Sequence, residues 1–181
     1  MNQDSKWRAY SEYKASGIEW LREVPQHWVV GPLKFFCSES AIYGANESAN
    51  NYSDAGVRFV RTSDIDDYGH LKNDGGVYLN ESSVFDYLLQ DGDLLLSRSG
   101  TIGRSFVYRE DTHGKAAYAG YLVCFRLNRY LDPRFAFYFT KSVVFQDWLA
   151  VSVITSTIGN INGHKYANMP LPKPPLPEQR A

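Results

Sequence analysis

Apolar segments of strand length alternate with polar turns through the middle of the chain. Residues 57–62 alternate apolar and polar side chains with a period of two, which is typical of a half-buried strand. Residues 94–97 begin with three consecutive leucines, and a short apolar run of this kind indicates a strand buried on both faces. Because turn residues follow each segment closely, the sequence predicts a sheet of short strands and not an all-helical fold.

Two segments carry helix signals, and the length of the chain fits one domain. Residues 83–90 follow a serine that can cap a helix, and residues 133–150 follow Asp132, a natural N-cap, with Pro133 in the first turn. A chain of 181 residues is long enough for one ordinary domain. We therefore predict a single α+β domain with a twisted, mixed or antiparallel sheet and a few helices. Three segments divide the chain: a lead-in or docking arm at 1–20, the domain at 21–170, and a proline-rich exit with the start of a helix at 171–181.

Composition excludes several classes of protein. Cys37 and Cys124 lie far apart in no CxxC pattern, which argues against a disulfide scaffold and a zinc site. The N-terminal residues contain no apolar stretch of signal-peptide length, and no run of about 18 apolar residues occurs anywhere. We therefore expect a cytoplasmic protein with no membrane partner.

Motifs of enzyme active sites are missing from the sequence. Residues 100–103 lack the lysine and the spacing of a phosphate-binding loop, and no GxSxG nucleophile elbow occurs. The four histidines are isolated, without HExxH or other paired-ligand spacing. The many carboxylates between Asp64 and Asp93 leave a chance acid pair open, which only a measured separation would make meaningful. We expect no catalytic residue, no metal and no cofactor.

Charge is distributed unevenly although the net charge is only −1. Eight acids and one lysine lie between Asp64 and Asp93, whereas Arg98, Arg104 and Arg109 follow with no acid between them. A chain that is neutral as a whole can therefore present one basic face, and phosphate binding needs only a local patch. The alternative is that these charges only solvate the surface.

Two clusters of glycine, hydroxyl and cationic residues suit ligand binding. They occupy residues 97–104, directly after a strand, and residues 155–165. Hydroxyl and backbone N–H groups bind phosphate oxygens, and arginine binds phosphate or guanine through two hydrogen bonds. We expect Lys165 to join Arg98 and Arg104 on one surface that can bind phosphate groups. The alternatives are a hairpin turn and a plain loop, with Arg98 paired to Asp91 or Asp93.

Six short motifs, taken in order, resemble the specificity subunits of Type I restriction–modification enzymes. They include an "R-x-x-D-I" turn, a "GD-I-L" and "S-G-T-x-G" segment, and a "P-L-P-x-P-P-L-x-E-Q" exit. The matching segments lie at 16–21, 24–28, 59–65, 90–103, 156–161 and 170–179. Each motif is short, but their number, their order and their spread over nearly the whole chain make the resemblance specific.

The resemblance implies a function and a set of partners. A full specificity subunit carries two target-recognition domains, each of which reads one half of a split DNA site. Long spacer helices separate the domains and bind the methyltransferase subunits and, through them, the restriction subunit. This chain resembles one recognition domain, the first, and ends where the spacer helix begins. The candidate DNA-binding residues are Arg61, Ser97, Arg98, Ser99, Thr101, Arg104, Ser156, Thr157, Asn160 and Lys165.

Other readings of the sequence stay open. One is an enzyme with its own methyltransferase or nuclease site, as in fused restriction enzymes. Another is a protein-interaction module that never binds DNA, and the proline-rich exit can also dock in an aromatic groove. Members of the family read different targets, so we expect base readout in loops such as 44–56 and 66–76. The amino-acid sequence alone does not identify the DNA sequence that would be recognised.

Overall fold

The computed structural model describes residues 9–72, 74–154 and 159–181, and within these residues it contains eleven strands and six α-helices. The strands are β1 Tyr13–Ala15, β2 Glu23–Pro25, β3 Val29–Pro32, β4 Ile42–Tyr43, β5 Val57–Val60, β6 Val77–Leu79, β7 Leu94–Ser97, β8 Ser105–Val107, β9 Ala116–Tyr118, β10 Leu122–Phe125 and β11 Pro170–Lys173. The helices are α1 Glu81–Val84, α2 Glu110–His113, α3 Pro133–Thr140, α4 Val143–Ile154, α5 Gly163–Ala167 and α6 Leu176–Gln179.

The strands form four small sheets in this part of the chain. The largest has the order β4-β10-β7-β8 and is antiparallel throughout. A second sheet has the order β6-β5-β9, in which β5 pairs antiparallel with β6 and parallel with β9. Two ribbons, β1-β2 and β3-β11, complete the set. The predicted α+β fold with mixed and antiparallel pairing is confirmed, but the strands are divided among several sheets.

The largest sheet is buried on both faces, as the leucine run predicts. Leu94 and Leu96 of β7 pack with α3, α4 and α5, whereas Leu95 points to the opposite face. That face packs against the second sheet, through Val60 at the end of β5 and Tyr118 at the end of β9. Two layers of core therefore hold β7 in a fixed position, and the turns at its ends are positioned by a rigid support.

The predicted helix at 133–150 is two helices. Asp132 caps α3 as predicted, because its side chain accepts a hydrogen bond from the backbone N–H of Arg134 at 2.9 Å. The prediction of one continuous helix is wrong, because α3 ends at Thr140 and α4 begins at Val143. The Ser142 hydroxyl accepts a hydrogen bond from the Phe145 N–H at 3.3 Å and so caps the second helix.

The predicted helix at 83–90 is also shorter than expected. Asn80, and not a serine, caps α1, since its side chain accepts from the Ser82 N–H at 3.1 Å. A 3-10 turn follows at Phe85–Tyr87, and Leu88 then forms a β-bridge with Ala117. Pairing of Leu88 with the second sheet ends the helical segment before residue 90.

Both ends of the described chain are built into the domain. The ribbon β1-β2 lies within and just after the predicted lead-in at 1–20, and the proline-rich exit begins as strand β11 against β3. The helix start predicted near Pro177 is confirmed as α6, which begins one residue earlier, at Leu176. The segment boundaries at 20 and 170 stay a prediction.

Candidate nucleic-acid interface

Four loops surround an open cleft of about 630 Å³ at one end of the sheets. Its walls come from the loop at 45–52, the turn after β5 at 61–63, the β7–β8 turn and the β9–β10 turn. The cleft contains four residues of the predicted set, namely Arg61, Ser99, Thr101 and Arg104. Segments from distant parts of the sequence therefore place arginines and hydroxyls around one space.

A buried hydroxyl shapes the β7–β8 turn. Ser97 is fully buried, and its Oγ donates a hydrogen bond to the Thr101 carbonyl and accepts one from the Arg104 N–H at 2.9 Å. Ser97 was expected to contact DNA, and that expectation does not fit its burial. Its hydroxyl instead crosses the base of the turn, which leaves Thr101 exposed and holds Arg104 at the rim of the cleft.

Gly103 brings the same turn against helix α4. Its φ is +82°, and a Cβ built there would lie 2.3 Å from Cδ2 of Leu149. A side chain at position 103 would therefore be strained and would also meet Leu149. Gly103, the second glycine of the "S-G-T-x-G" segment, thus allows the turn to pack closely against α4.

Arg61 is held by a buried carboxylate. Its Nε and Nη2 donate to Oδ2 and Oδ1 of Asp64 at 3.1 and 2.7 Å, and Nη2 also donates to the Gly75 carbonyl at 2.9 Å. The Arg61 guanidinium lies 5.6 Å from the ring centroid of Tyr52. The hydrogen bond with Asp64 raises the pKa of Arg61, so the side chain is charged. The "R-x-x-D-I" turn therefore orients the Arg61 side chain through the Asp64 carboxylate. The sequence analysis did not identify this role of Asp64.

Arg104 is paired with a carboxylate on a neighbouring loop. Its Nη2 forms an ion pair with Asp67, and its Nη1 donates to the Thr62 carbonyl at 3.4 Å. The Asp67 side chain is 82% exposed, whereas that of Arg104 is 16% exposed. The cation is thus fixed against the protein, and its partner faces solvent.

Arg98 does not line the cleft. Its guanidinium lies 4.9 Å from the Tyr43 ring centroid, and its Nη1 is 3.5 Å from the Gly120 carbonyl oxygen. The alternative ion pair of Arg98 with Asp91 or Asp93 is wrong, because Asp91 pairs with Arg109 and Asp93 lies 3.7 Å from Arg126. A DNA contact for Arg98 stays a prediction.

The described part of the second predicted cluster, residues 159–165, contacts the β7–β8 turn at Arg98. The Ile161 N–H donates to the Arg98 carbonyl at 3.0 Å, so the two clusters do meet through their backbones. Lys165 points toward the end of α4, where its Nζ donates to the Ser152 carbonyl at 2.6 Å. Asn160 is half-buried, and neither it nor Lys165 lines the cleft. Ser156 and Thr157 lie outside the described residues.

The cleft also contains residues that sequence reasoning did not select individually. Asn46, Glu47 and Ser48 come from the polar loop that was expected to read bases. Tyr121 lies in the β9–β10 turn with 65% of its surface exposed. An aromatic residue directly after a glycine, between two strand segments, is the signal that could have identified Tyr121.

The chemistry available at the cleft is that of hydrogen bonding and charge. Two guanidinium groups, several hydroxyls, an amide and a carboxylate face it. Within the described ranges, no group of three or more His, Cys, Asp or Glu side chains could hold a metal ion. No helix among these residues is long and apolar enough to cross a membrane.

Solved structures resemble the fold of this chain. One belongs to a study of complex assembly and conformational transition of the type I R-M system, with a TM-score of 0.66 and 21% identity over 87% of this chain. The HsdS subunit from Thermoanaerobacter tengcongensis gives 0.65 and 19% over 93%. The S subunit of a Type I system from M. genitalium gives 0.56 and 15% over 85%. The chain spans only 36–37% of the length of these three chains.

The family follows from the sequence itself. A search among curated proteins finds no match to the chain. Residues 34–181, which include every wall of the cleft, match the family described as the Type I restriction modification DNA specificity domain. This chain therefore belongs to the family of Type I restriction–modification DNA specificity domains.

Proposed function

We propose that this chain recognises a specific sequence in double-stranded DNA and reads one half of a bipartite site. The observation that carries the proposal is the meeting of Arg61, Thr101 and Arg104 with the polar loop 45–52 around one open cleft. Arginine binds phosphate or guanine through two hydrogen bonds, and hydroxyls bind phosphate oxygens. A cleft of this composition offers two kinds of contact: contacts with phosphates, which position a duplex, and contacts with base edges, which recognise its sequence.

The two kinds of contact divide between the walls. Thr101 and Arg104 lie on the β7–β8 turn, whose shape is fixed by Ser97 and Gly103, so they suit phosphate positions that every target shares. Asn46 and Glu47 lie on the loop 45–52, and their amide and carboxylate match base edges, since Asn pairs with adenine and Glu accepts from cytosine. We assign sequence discrimination to this loop.

Specificity subunits are non-catalytic in general. We propose that this chain has no activity of its own and acts through methyltransferase subunits that bind a spacer helix beginning at α6. Gln179 is buried in that helix, where its Oε1 accepts from the Asp132 N–H at 2.7 Å. An anchored helix start would transmit the orientation of the domain on DNA to those subunits.

A salt series on duplex DNA tests the proposal. We expect the purified chain to bind random-sequence duplex, with affinity that falls steeply as salt rises. Replacing residues 45–52 by the loop of another family member should change the methylated sequence of an assembled complex without changing that salt dependence. A chain that shows no salt-sensitive DNA binding but captures a protein partner would instead be an interaction module. Methyl transfer from S-adenosylmethionine by the pure chain would instead indicate an enzyme with its own methyltransferase site.

A further inference from the structure

A second surface depression, of about 320 Å³, shares Thr101 and Arg104 with the cleft. Asp67 forms part of its wall, and Thr140 and Lys141, at the junction of α3 and α4, form another. Lys141 was not selected from the sequence. The depression extends the polar surface of the cleft onto a helical part of the domain.

Two contacts fix the walls of this depression relative to one another: one joins the start of β8 to α3, and the other joins the loop that carries Asp67 to α3. The hydroxyls of Thr140 and Ser105 are hydrogen-bonded, with 2.7 Å between Oγ1 and Oγ, and Ser105 directly follows Arg104. The loop that carries Asp67 packs against α3, because a Cβ built at Gly69 would lie 2.4 Å from the ring of Phe137. The positions of Arg104 and Lys141 are therefore fixed relative to each other by the fold.

One residue engages both cations. The Asp67 carboxylate forms the ion pair with Arg104, and the Asp67 carbonyl accepts a hydrogen bond from Lys141 Nζ at 3.1 Å. Burial lowers the pKa of Lys141, and the charge of Arg104 acts in the same direction, against the opposing effect of Asp66 and Asp67. Two neighbouring cations repel each other, and an anion between them relieves that repulsion.

We propose that Arg104 and Lys141 bind one phosphate of the DNA backbone, and that the Asp67 carboxylate takes the place of that phosphate in the free chain. The inference rests on the proposed function. Asp67 is mostly exposed, whereas the Arg104 side chain is mostly buried and is also held by the Thr62 carbonyl. When a duplex enters, the carboxylate is therefore the group that leaves, and the cation stays in position.

This exchange lets Asp67 set the overall affinity of the chain for DNA, whatever the sequence. Every duplex, whatever its sequence, must displace the carboxylate before it gains the phosphate contact. Asp67 thus weakens binding to all sequences alike, and only a duplex that makes further contacts in the cleft recovers the loss. Removing the carboxylate should tighten binding to random DNA and leave the choice among bases to the loop 45–52.

Binding of the whole 181-residue chain to a random-sequence duplex, followed by fluorescence anisotropy over a salt series, tests the exchange. We expect D67N to bind about fivefold more tightly at low salt, the size expected of one unit charge about 4 Å from a phosphate in water. K141Q should bind more weakly, and its slope of log K against log salt should be shallower by about 0.9.

D91N is the matched control, because it removes the same charge from the Asp91–Arg109 pair at the opposite end of the β7–β8 hairpin. It should leave the affinity unchanged.

The double variant D67N/R104Q separates the exchange from a general effect of charge. With no guanidinium to release, D67N should give no gain in affinity over R104Q alone, and an undiminished gain would overturn the proposed exchange. If R104Q fails to fold, as its melting temperature would reveal, D67N/K141Q must show a smaller gain over K141Q than D67N shows over wild type for the exchange to stand. If the wild type binds with steep salt dependence but D67N and K141Q bind as it does, the exchange is wrong and the proposed function stands. If no variant shows salt-sensitive binding, both are wrong.

Discussion

Glu178 and His27 form a short hydrogen bond, with 2.6 Å between Oε1 and Nε2, although they lie 151 residues apart in the chain. The same carboxylate accepts hydrogen bonds from the Tyr10 hydroxyl at 2.8 Å and from the Trp28 Nε1 at 2.9 Å. The first turn of the C-terminal helix is thereby fastened to the N-terminal part of the domain. The orientation of α6 on the domain depends on these contacts.

Replacing Glu178 by Gln should destabilise the domain near neutral pH and have little effect in acid. Burial by itself would raise the pKa of Glu178, but the hydrogen bonds from His27, Tyr10 and Trp28 outweigh it, so the pKa lies below its usual value of 4.5. A lowered carboxylate pKa gives stability that is present above pH 4.5 and lost as the pH falls through the folded-state value. We expect E178Q to lose about 1 kcal/mol at pH 7, after allowance for solvent screening.

Denaturant unfolding of wild type and E178Q between pH 7 and pH 3 measures this difference. The matched control is E19Q, which removes the same charge from an exposed glutamate. A gap between E178Q and wild type that stays constant down to pH 3 would show that the carboxylate charge is not what fastens the helix.

Gln179 to Ala should be more costly than its size suggests. Gln179 is buried, its Oε1 accepts from the Asp132 N–H, and its Nε2 donates to the carbonyls of Tyr130 and Pro174 at 3.1 and 2.8 Å. The alanine variant leaves these backbone groups without their partner, at a cost of about 1–3 kcal/mol. Denaturant unfolding checks the loss, with the exposed Gln90 to Ala as the control. Equal stability of the two variants would contradict the anchoring role.

The fold was predictable where one local pattern dominates. The leucine run of β7 and the Asp132-Pro133 helix start follow from burial and capping, which act over a few residues. The break between α3 and α4 was missed, because the apolar pattern continues across it while one serine caps the second helix. The division of the strands among several sheets was also missed, since pairing such as that of β5 with β9 joins residues more than fifty positions apart.

Which residue types line the candidate site was predictable from the sequence, but their spatial arrangement was not. Arg61, which follows β5, does meet Ser99, Thr101 and Arg104, which follow β7, at the cleft. Ser97 and Arg98 belong to the same motif, yet one is buried and the other packs against Tyr43. A motif identifies a turn, whereas the exposure of each side chain depends on what packs against that turn. Lys141 was missed for the same reason, since only tertiary contacts bring it near Asp67.

Ser97 to Ala should weaken both the fold and DNA binding. The variant removes the hydroxyl that joins the Thr101 carbonyl to the Arg104 N–H, and both groups lose a partner at a buried position. We expect a loss of about 1–3 kcal/mol in stability. Affinity for all duplex sequences should fall together, because the turn that presents Arg104 is loosened. Ser99 to Ala is the control for stability, since Ser99 is partly exposed at the cleft. A stable S97A that changes discrimination at one base pair would mean that Ser97 contacts DNA after all.

Gly103 to Ala should destabilise the domain more than Gly100 to Ala. Both glycines have a positive φ, +82° at Gly103 and +70° at Gly100, so each alanine variant carries backbone strain of about 1 kcal/mol. The two positions differ in space, because a Cβ at Gly100 meets nothing within 4 Å, whereas one at Gly103 lies 2.3 Å from Leu149 Cδ2. Forcing a methyl group into packed surroundings adds about 1–3 kcal/mol. Thermal unfolding of the two variants measures the difference, and equal melting temperatures would show that Leu149 moves aside and that the turn does not depend on a glycine to pack against α4.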